Sequence, residues 1–158
     1  MLLREVVLKV IFLDVDGVLN SHVLIYHYGF DYIDEGLLEL LATVVNKTGS
    51  EVVLSSIRRL QERNRNLVKD SLSRFGIKLL DWTKKIATSH RCDEIGEWLN
   101  RHPKVKKYAI LDCDPDAGCG AGKKFFMTDP DVGMTNEIAN KLISHLGKNN
   151  GKLRSRDN

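Results

Sequence analysis

Residues Val6 to Leu13 form an apolar run broken only by Lys9, and the chain continues Asp14-Val15-Asp16-Gly17-Val18-Leu19-Asn20. Such a run suits a strand covered on both faces, the situation of a parallel sheet with helices on either side. Two aspartates then leave the strand end two residues apart, ahead of a glycine that lets the backbone turn. They direct two carboxylates into one pocket. Paired anions are costly unless a cation joins them or one of them takes a proton. Both outcomes suit phosphoryl transfer, in which one carboxylate attacks phosphorus and the other handles the leaving-group proton. The plain alternative, a surface turn bent by Asp16-Gly17, is weakened by two later strands that also end in useful groups, Ser55 and Asp112.

The rest of the chain alternates strand and helix patterns. Asp34 caps a helix carrying Leu37, Leu38, Leu40, Leu41, Val44 and Val45, closed by Gly49. Val52 to Leu54 is a second strand, and a polar, arginine-rich helix follows it to about Phe75 and Gly76. Ile77 to Leu80 reads as a third strand, Asp93 to Arg101 as a helix closed by Pro103, and Tyr108 to Leu111 as a strand leading into Asp112. Lys124 to Met127 makes a short fifth strand, and Thr135 caps a final amphipathic helix that stops at Gly147. This order implies an α/β fold: a doubly wound, Rossmann-like parallel sheet flanked by helices, with ligands gathered beyond the carboxyl ends of the strands. One domain over residues 1–147 is expected, followed by a basic, polar and flexible tail over 148–158.

With 158 residues, 42% hydrophobic and 28% charged, the chain has the make-up of one globular domain and not of a disordered or fibrous protein. No apolar run approaches the ~18 residues of a membrane span. The apolar start is interrupted by Arg4, Glu5 and Lys9, unlike a signal peptide. Cys92, Cys113 and Cys119 form no CxxC pair, and their odd number argues against a disulfide framework or a disulfide-linked partner. A reduced, cytoplasmic protein is expected. The net charge of +3 resides in the tail, and the body is neutral but segregated. Asp14 to Glu39 holds six acidic residues and no Lys or Arg, whereas Arg58 to Arg91 holds ten basic and three acidic residues. An acidic centre beside a basic approach surface is one reading; a solvated helix face is the other.

The motifs in order resemble the haloacid dehalogenase (HAD) superfamily of phosphohydrolases. Asp14-x-Asp16-Gly17-x-Leu19 is similar to its first motif, Val52-Val53-Leu54-Ser55 to its second, Arg91 near a helix start to its third, and Ile110-Leu111-Asp112-Cys113-Asp114-Pro115-Asp116 to its fourth. The run Leu54-Ser55-Ser56-x-x-Arg59, the helix Glu94-Ile95-x-x-Trp98-Leu99, and Thr128-Asp129-Pro130 followed by Gly133-Met134-Thr135 resemble one branch, the small HAD domain of "Swiss Army knife" RNA-repair proteins. Two positions depart from that branch. Arg58 stands where a Trp precedes the second-motif Arg, and Cys113 follows Asp112 where adjacent acids are usual.

The resemblance implies a catalytic set of Asp14, Asp16, Ser55 and Arg91. Asp14 would be the nucleophile that becomes an aspartyl-phosphate, and Asp16 the acid for the leaving oxygen and then the base for water. Ser55 would bond the transferring phosphoryl group, with Arg91 neutralising its charge; Lys84 and Lys85 are rivals for that last role. Asp14, the Asp16 main-chain carbonyl and Asp112 would hold Mg²⁺, a hard ion that prefers oxygen ligands. Gly17, Ser56, Arg58 and Arg59 are candidate substrate-binding residues, since Arg suits bidentate phosphate contacts; for the two arginines helix solvation is the alternative. Cys113 reads as a small buried residue and not a nucleophile.

Other motifs carry less. Gly118 to Lys123 lacks the glycine at 117 and the Ser/Thr at 124 of a Walker loop, and reads as a flexible turn. The five histidines make no zinc pattern with the cysteines. His22, Tyr26, His27 and Tyr28 fall just after the first motif, where packing of a short flap competes with stacking on a base. The stretches from Asp16 to Ser55 and from Ser55 to Arg91 are too short for a large cap domain, so a capless site open to a phosphorylated polymer is expected. The leading reading is a Mg²⁺-dependent phosphomonoesterase acting on nucleic-acid ends, with the 3′-phosphate favoured. A small-molecule phosphatase and a non-catalytic phosphate-binding or signalling module are the rivals. Oligomeric state, and RNA against DNA, stay open.

Overall fold

The computed structural model describes residues 7–88 and 90–148. Apart from Lys148, the expected flexible tail lies outside the described residues. Five strands form one wholly parallel sheet in the order β3-β2-β1-β4-β5: β1 Leu8–Leu13, β2 Glu51–Leu54, β3 Leu79–Trp82, β4 Val105–Asp112 and β5 Phe125–Met127. The chain therefore starts in the middle of the sheet, builds outward through β2 and β3, and crosses back to β4 and β5.

β1 is central because both faces of it are apolar. Ile11 and Leu13 enter one core cluster with Leu38, Leu41, Val68, Leu72, Leu142 and Leu146. Val10 and Phe12 enter a second with Val53, Ile95, Trp98 and Ile110. The two-residue period of a strand sends alternate side chains to opposite faces. Helices α2 (Glu35–Thr48), α3 (Glu62–Arg74) and α5 (Asn136–Leu146) supply the first cluster, and α4 (Arg91–Asn100) covers the other face. Trp98 anchors that side: it is 1% exposed, meets Phe12 edge-on, stacks on His102, and donates from Nε1 to Asp81 Oδ2 at 2.8 Å.

The expected caps act through their side chains. Asp34 Oδ1 accepts from the Leu37 N–H and Thr135 Oγ1 from the Ile138 N–H, satisfying helix-start donors, while Gly49 closes α2 in the left-handed region at φ 70°. Differences fall where short polar stretches make local geometry decisive. The arginine-rich helix is divided: Ile57–Leu60 is a 3₁₀ turn capped by Ser56, and α3 begins only after Gln61, which is extended. The third strand starts two residues later than Ile77, and its last two residues pair with Val53 and Leu54. His22–Tyr28 is a short helix, α1, with Ser21 as its cap; none of its residues is buried, so no apolar stripe announced it. Gly118 to Lys123, expected as a flexible turn, runs between and into two 3₁₀ turns, Pro115–Gly118 and Gly122–Lys124.

The cysteine expectation is corrected. Cys92, in the first turn of α4, and Cys119, after the 3₁₀ turn Pro115–Gly118, form a disulfide with Cα atoms 5.8 Å apart, leaving only Cys113 free. An odd total hides one pair, and 27 residues of separation conceal that these segments pack together, as the His90–Asp116 contact at 3.1 Å also shows. The cysteine argument for a reducing compartment lapses with it. Among the described residues, no helix is long and apolar enough to cross a membrane. Protein kept from reductant and then denatured should expose one reactive thiol, rising to three after reduction. Three before reduction would refute the bridge.

Candidate active site

The site is built by a row of backbone hydrogen bonds along the carboxyl edge of the sheet. Thr83 N–H donates to Leu54 O, Ser55 N–H to Leu13 O, Asp14 N–H to Leu111 O and Thr128 N–H to Asp112 O, all at 2.9–3.0 Å. The first residue past β1, β2, β3 and β5 is thus held by a neighbouring strand. That row places Asp14 between Ser55 on one side and Asp112 on the other. Side chains presented by strand ends in this way are located far more closely than loop residues.

The turn after β1 is fixed with equal care. Gly17 has φ +82°, and a Cβ there would lie 2.8 Å from Cys113 Sγ and 3.1 Å from Pro130 Cα. Its N–H donates to Asn20 Oδ1 at 2.8 Å, and its carbonyl accepts from Thr128 Oγ1 at 2.6 Å. Gly17 therefore shapes the loop, with both main-chain groups already engaged. Asn20 also donates from Nδ2 to Asp16 Oδ1 at 3.1 Å, which orients that carboxylate.

Asp14 and Asp112 are buried, and Arg91 at the start of α4 reaches both: Nη1 is 2.6 Å from Asp112 Oδ2 and 3.6 Å from Asp14 Oδ2. Lys84 and Lys85 are exposed, and the cation at the carboxylates is Arg91. Burial, followed by the charge of Asp112, pushes the Asp14 carboxyl up to about 7 against the pull of Arg91. One guanidinium does not balance two buried carboxylates. Asp14, Asp112 and Cys113 each offer a ligand atom, all within 4.8 Å of one another, and the Cys113 thiol faces Asp14 Oδ2 at 3.6 Å and Asp16 O at 3.3 Å. The donor set therefore fits a divalent cation. Asp114 and Asp116 do not join it: both are exposed, Asp114 Oδ1 accepts from the Asp116 N–H at 2.9 Å, and Asp116 meets His90. Burial, with Asp14 and Asp112 adding to it, pushes the Cys113 thiol up to about 12, so the free protein holds a neutral S–H there.

Asp16 lies at the mouth, its side chain 35% exposed, and Arg58 clasps it through Nε to Oδ2 at 3.0 Å and Nη2 to Oδ1 at 2.6 Å. Burial acts to raise the Asp16 carboxyl, but hydrogen bonds from Arg58 and Asn20 and the Arg58 charge outweigh it and hold the group below the usual range. Arg58 Nη2 also donates to Phe30 O. Ser55 is fully buried, and its Oγ has no hydrogen-bond partner among the described residues. An orphaned buried hydroxyl is costly unless a ligand satisfies it. Ser56 instead caps the 3₁₀ turn, accepting from the Arg58 N–H.

Arg59 corrects the expected substrate contact. It is buried, donating to Thr83 O, Ser55 O, Ser56 O and Glu94 Oε2, with Nε to Thr83 O at 2.7 Å and Nη2 to Glu94 at 2.7 Å. It holds the Ser55 turn against β3 and α4. Arg63 pairs with Asp31 at 2.7 Å, and Arg65 lies over the Trp82 ring. Five of the ten basic residues from Arg58 to Arg91 are thus engaged with internal partners. Beside Asp16 a cleft of about 430 Å³ is lined by Phe30, Ile57 and Leu60 with Gln61 and Asn64 at its polar side. Phe30 is 81% exposed and Ile57 64%. The sequence reading missed this cleft, because scattered apolar residues in polar segments carry no periodicity.

A parallel α/β sheet with a strand-end nucleophile candidate, an adjoining serine, a helix-start arginine and an acidic strand end defines a HAD-type phosphohydrolase fold. The family model described as the HAD domain in Swiss Army Knife RNA repair proteins matches residues 10–139, and the chain belongs to that family. Membership implies a phosphatase-type, hydrolytic function. No curated protein and no solved structure matches the chain.

The raised Asp14 carboxyl has a consequence for stability. A group whose folded value lies above its ordinary 3.8 binds a proton in the folded state that the unfolded state has lost, so its contribution is present at low pH and disappears as pH rises to about 7. With metal chelated, the wild type should lose stability relative to Asp14→Asn between about pH 4 and 7, with a constant difference above that range. Urea midpoints across this range measure it, and a pH-independent difference would contradict the assignment.

Proposed function

We propose that this protein is a Mg²⁺-dependent phosphomonoesterase acting through an aspartyl-phosphate on Asp14, with a phosphorylated polynucleotide end, a 3′-phosphate first, as substrate. The observation that carries this reading is the juxtaposition at one sheet edge of the buried Asp14–Asp112 pair, its cation Arg91, and the Ser55 hydroxyl, which has no partner among the described residues. The residues that would hold the ion are Asp14, the Asp16 main-chain carbonyl and Asp112, and the ion would neutralise charge on the phosphoryl oxygens and on Asp14.

Asp14 attacks phosphorus, forming one P–O bond as the bond to the leaving oxygen breaks. Asp16 gives its proton to that oxygen, then takes one from the water that releases phosphate from Asp14. Ser55 donates to a phosphoryl oxygen, and Arg91 offsets the charge that builds there. Arg58 keeps Asp16 ionised in the free protein, so service as an acid requires this contact to loosen and Asp16 to take up a proton from solvent as substrate enters. The cleft beside Asp16 lies on the leaving-group side, and its exposed apolar lining suits the face of a nucleoside. Among the described residues, no domain covers the mouth, which supports a substrate that continues beyond the terminal nucleoside.

One observation favours a second reading. Arg58, Arg59, Arg63 and Arg91 are each paired with a carboxylate, so the four arginines of the basic stretch that lie nearest the site are already neutralised and do not add free charge for a backbone to follow. A nucleotide phosphatase needs only the cleft. A 3′-phosphorylated oligonucleotide is expected to show a higher kcat/KM than the matching mononucleotide, and equal values would favour the small-molecule reading. Asp14→Asn should reduce turnover to background with folding retained. Asp16→Asn should cost about 10²–10⁴-fold, the range for loss of a positioned acid–base group. Wild-type turnover in Asp14→Asn would overturn the covalent scheme, and wild-type turnover in Asp16→Asn would overturn the acid–base role of Asp16.

A further inference from the structure

We infer that Cys113 is a direct metal ligand that makes this centre prefer a thiophilic divalent ion, of the Zn²⁺ class, over Mg²⁺. The inference rests on the reading of the site as a metal centre and revises which ion it selects.

The side chain of Cys113 stands against two atoms that the metal reading assigns as ligands. Its Sγ is 3.3 Å from the Asp16 main-chain oxygen and 3.6 Å from Asp14 Oδ2. Ligands on one such ion, with metal–sulfur near 2.3 Å and metal–oxygen near 2.1 Å, are separated by about 3.1 Å at a right angle and about 3.6 Å at the tetrahedral angle. The observed separations fall within that span. Asp112 completes the group, its ligand atom within 4.8 Å of those of Asp14 and Cys113.

Position is enforced from outside the site as well. Cys113 directly follows the end of β4, and its Sγ and Cβ fill the space that a Cβ on Gly17 would need. A sulfur among two carboxylates and a carbonyl changes selectivity, because thiolate ligands favour zinc-like ions, whereas Mg²⁺ is served by oxygen alone. Binding breaks the S–H bond, forms a sulfur–metal bond and releases one proton to solvent. A cation placed there also reverses the repulsion between sulfur and the neighbouring carboxylates.

The test titrates metal-free full-length protein with Co²⁺ and Cd²⁺ in the absence of substrate. A Cys92→Ser/Cys119→Ser variant serves as the second protein, in which Cys113 is the sole cysteine. Both should develop a thiolate-to-metal charge-transfer absorption with release of a proton, and Cys113→Ser should develop none. Loss of outer partners of a metal site already costs 10–100-fold, so Cys113→Ser should weaken Zn²⁺ by about tenfold or more and leave Mg²⁺ affinity little changed. Cys113→Asp should move the preference toward Mg²⁺. Absence of the absorption in the Cys113-only variant, or Zn²⁺ affinity equal in wild type and Cys113→Ser, would overturn the inference and reduce the short contacts to S–H···O hydrogen bonds. That outcome would leave the phosphatase reading intact provided Mg²⁺ still bound and supported turnover. Failure of any divalent ion to bind would remove the metal reading itself.

Discussion

Two carboxylates buried next to each other, Asp14 and Asp112, set the terms for the site. Desolvation and mutual repulsion make the pair unfavourable, and Arg91 relieves only part of it, which is why Asp14 is pushed up to about 7. The arrangement survives because rigid elements impose it. β1 and β4 pair in register through Leu13 and Leu111, and the Asp14 N–H is tied to Leu111 O. A sheet buried on both faces holds the two groups together where solvent would separate them. The imbalance that remains is net negative and invites a cation, which would also offset the negative charge that a phosphoryl group brings.

The surrounding polar groups sort by what they touch. Arg91 brings its charge to the carboxylate pair, and Ser55, held beside Asp14 at the strand ends, carries a buried hydroxyl with no partner among the described residues. Arg59, although it falls four residues after Ser55, is turned inward onto Glu94 and the carbonyls of Ser55, Ser56 and Thr83. It buttresses the turn that presents the hydroxyl. Arg58, its neighbour, points the other way and guards Asp16. Adjacent residues of one type thus take opposite roles, because the 3₁₀ turn at Ile57–Leu60 separates their directions sharply.

Much of this was legible in the sequence wherever periodicity or a capping group recorded the packing. The apolar run before Asp14, the Asp34 and Thr135 caps and the stops at Gly49 and Gly147 all correspond to observed elements. The strand ends at Asp14, Ser55 and Asp112 follow from the same pattern. What sequence could not reveal depended on long-range proximity. The Cys92–Cys119 bridge joins segments that meet only through packing of α4 on the turn after β4. The inward turn of Arg59 needed Glu94, 35 residues away, to be seen beside it. The break of acidic pairing at Cys113 was visible as a departure, but its meaning came only from the two oxygens that face the sulfur.

The central claim is that the first carboxylate of the β1 edge carries the phosphoryl group. Intact-mass measurement of the Asp16→Asn variant, quenched in acid during reaction with a phosphorylated oligonucleotide and divalent metal, addresses it most directly, since loss of the hydrolytic base should let the acylphosphate accumulate. The account predicts a species heavier by one phosphoryl group, mapping by peptide fragmentation to Asp14 and absent from an Asp14→Asn/Asp16→Asn double variant. Phosphate carried on another residue, or turnover by Asp14→Asn through direct attack of water, would contradict it.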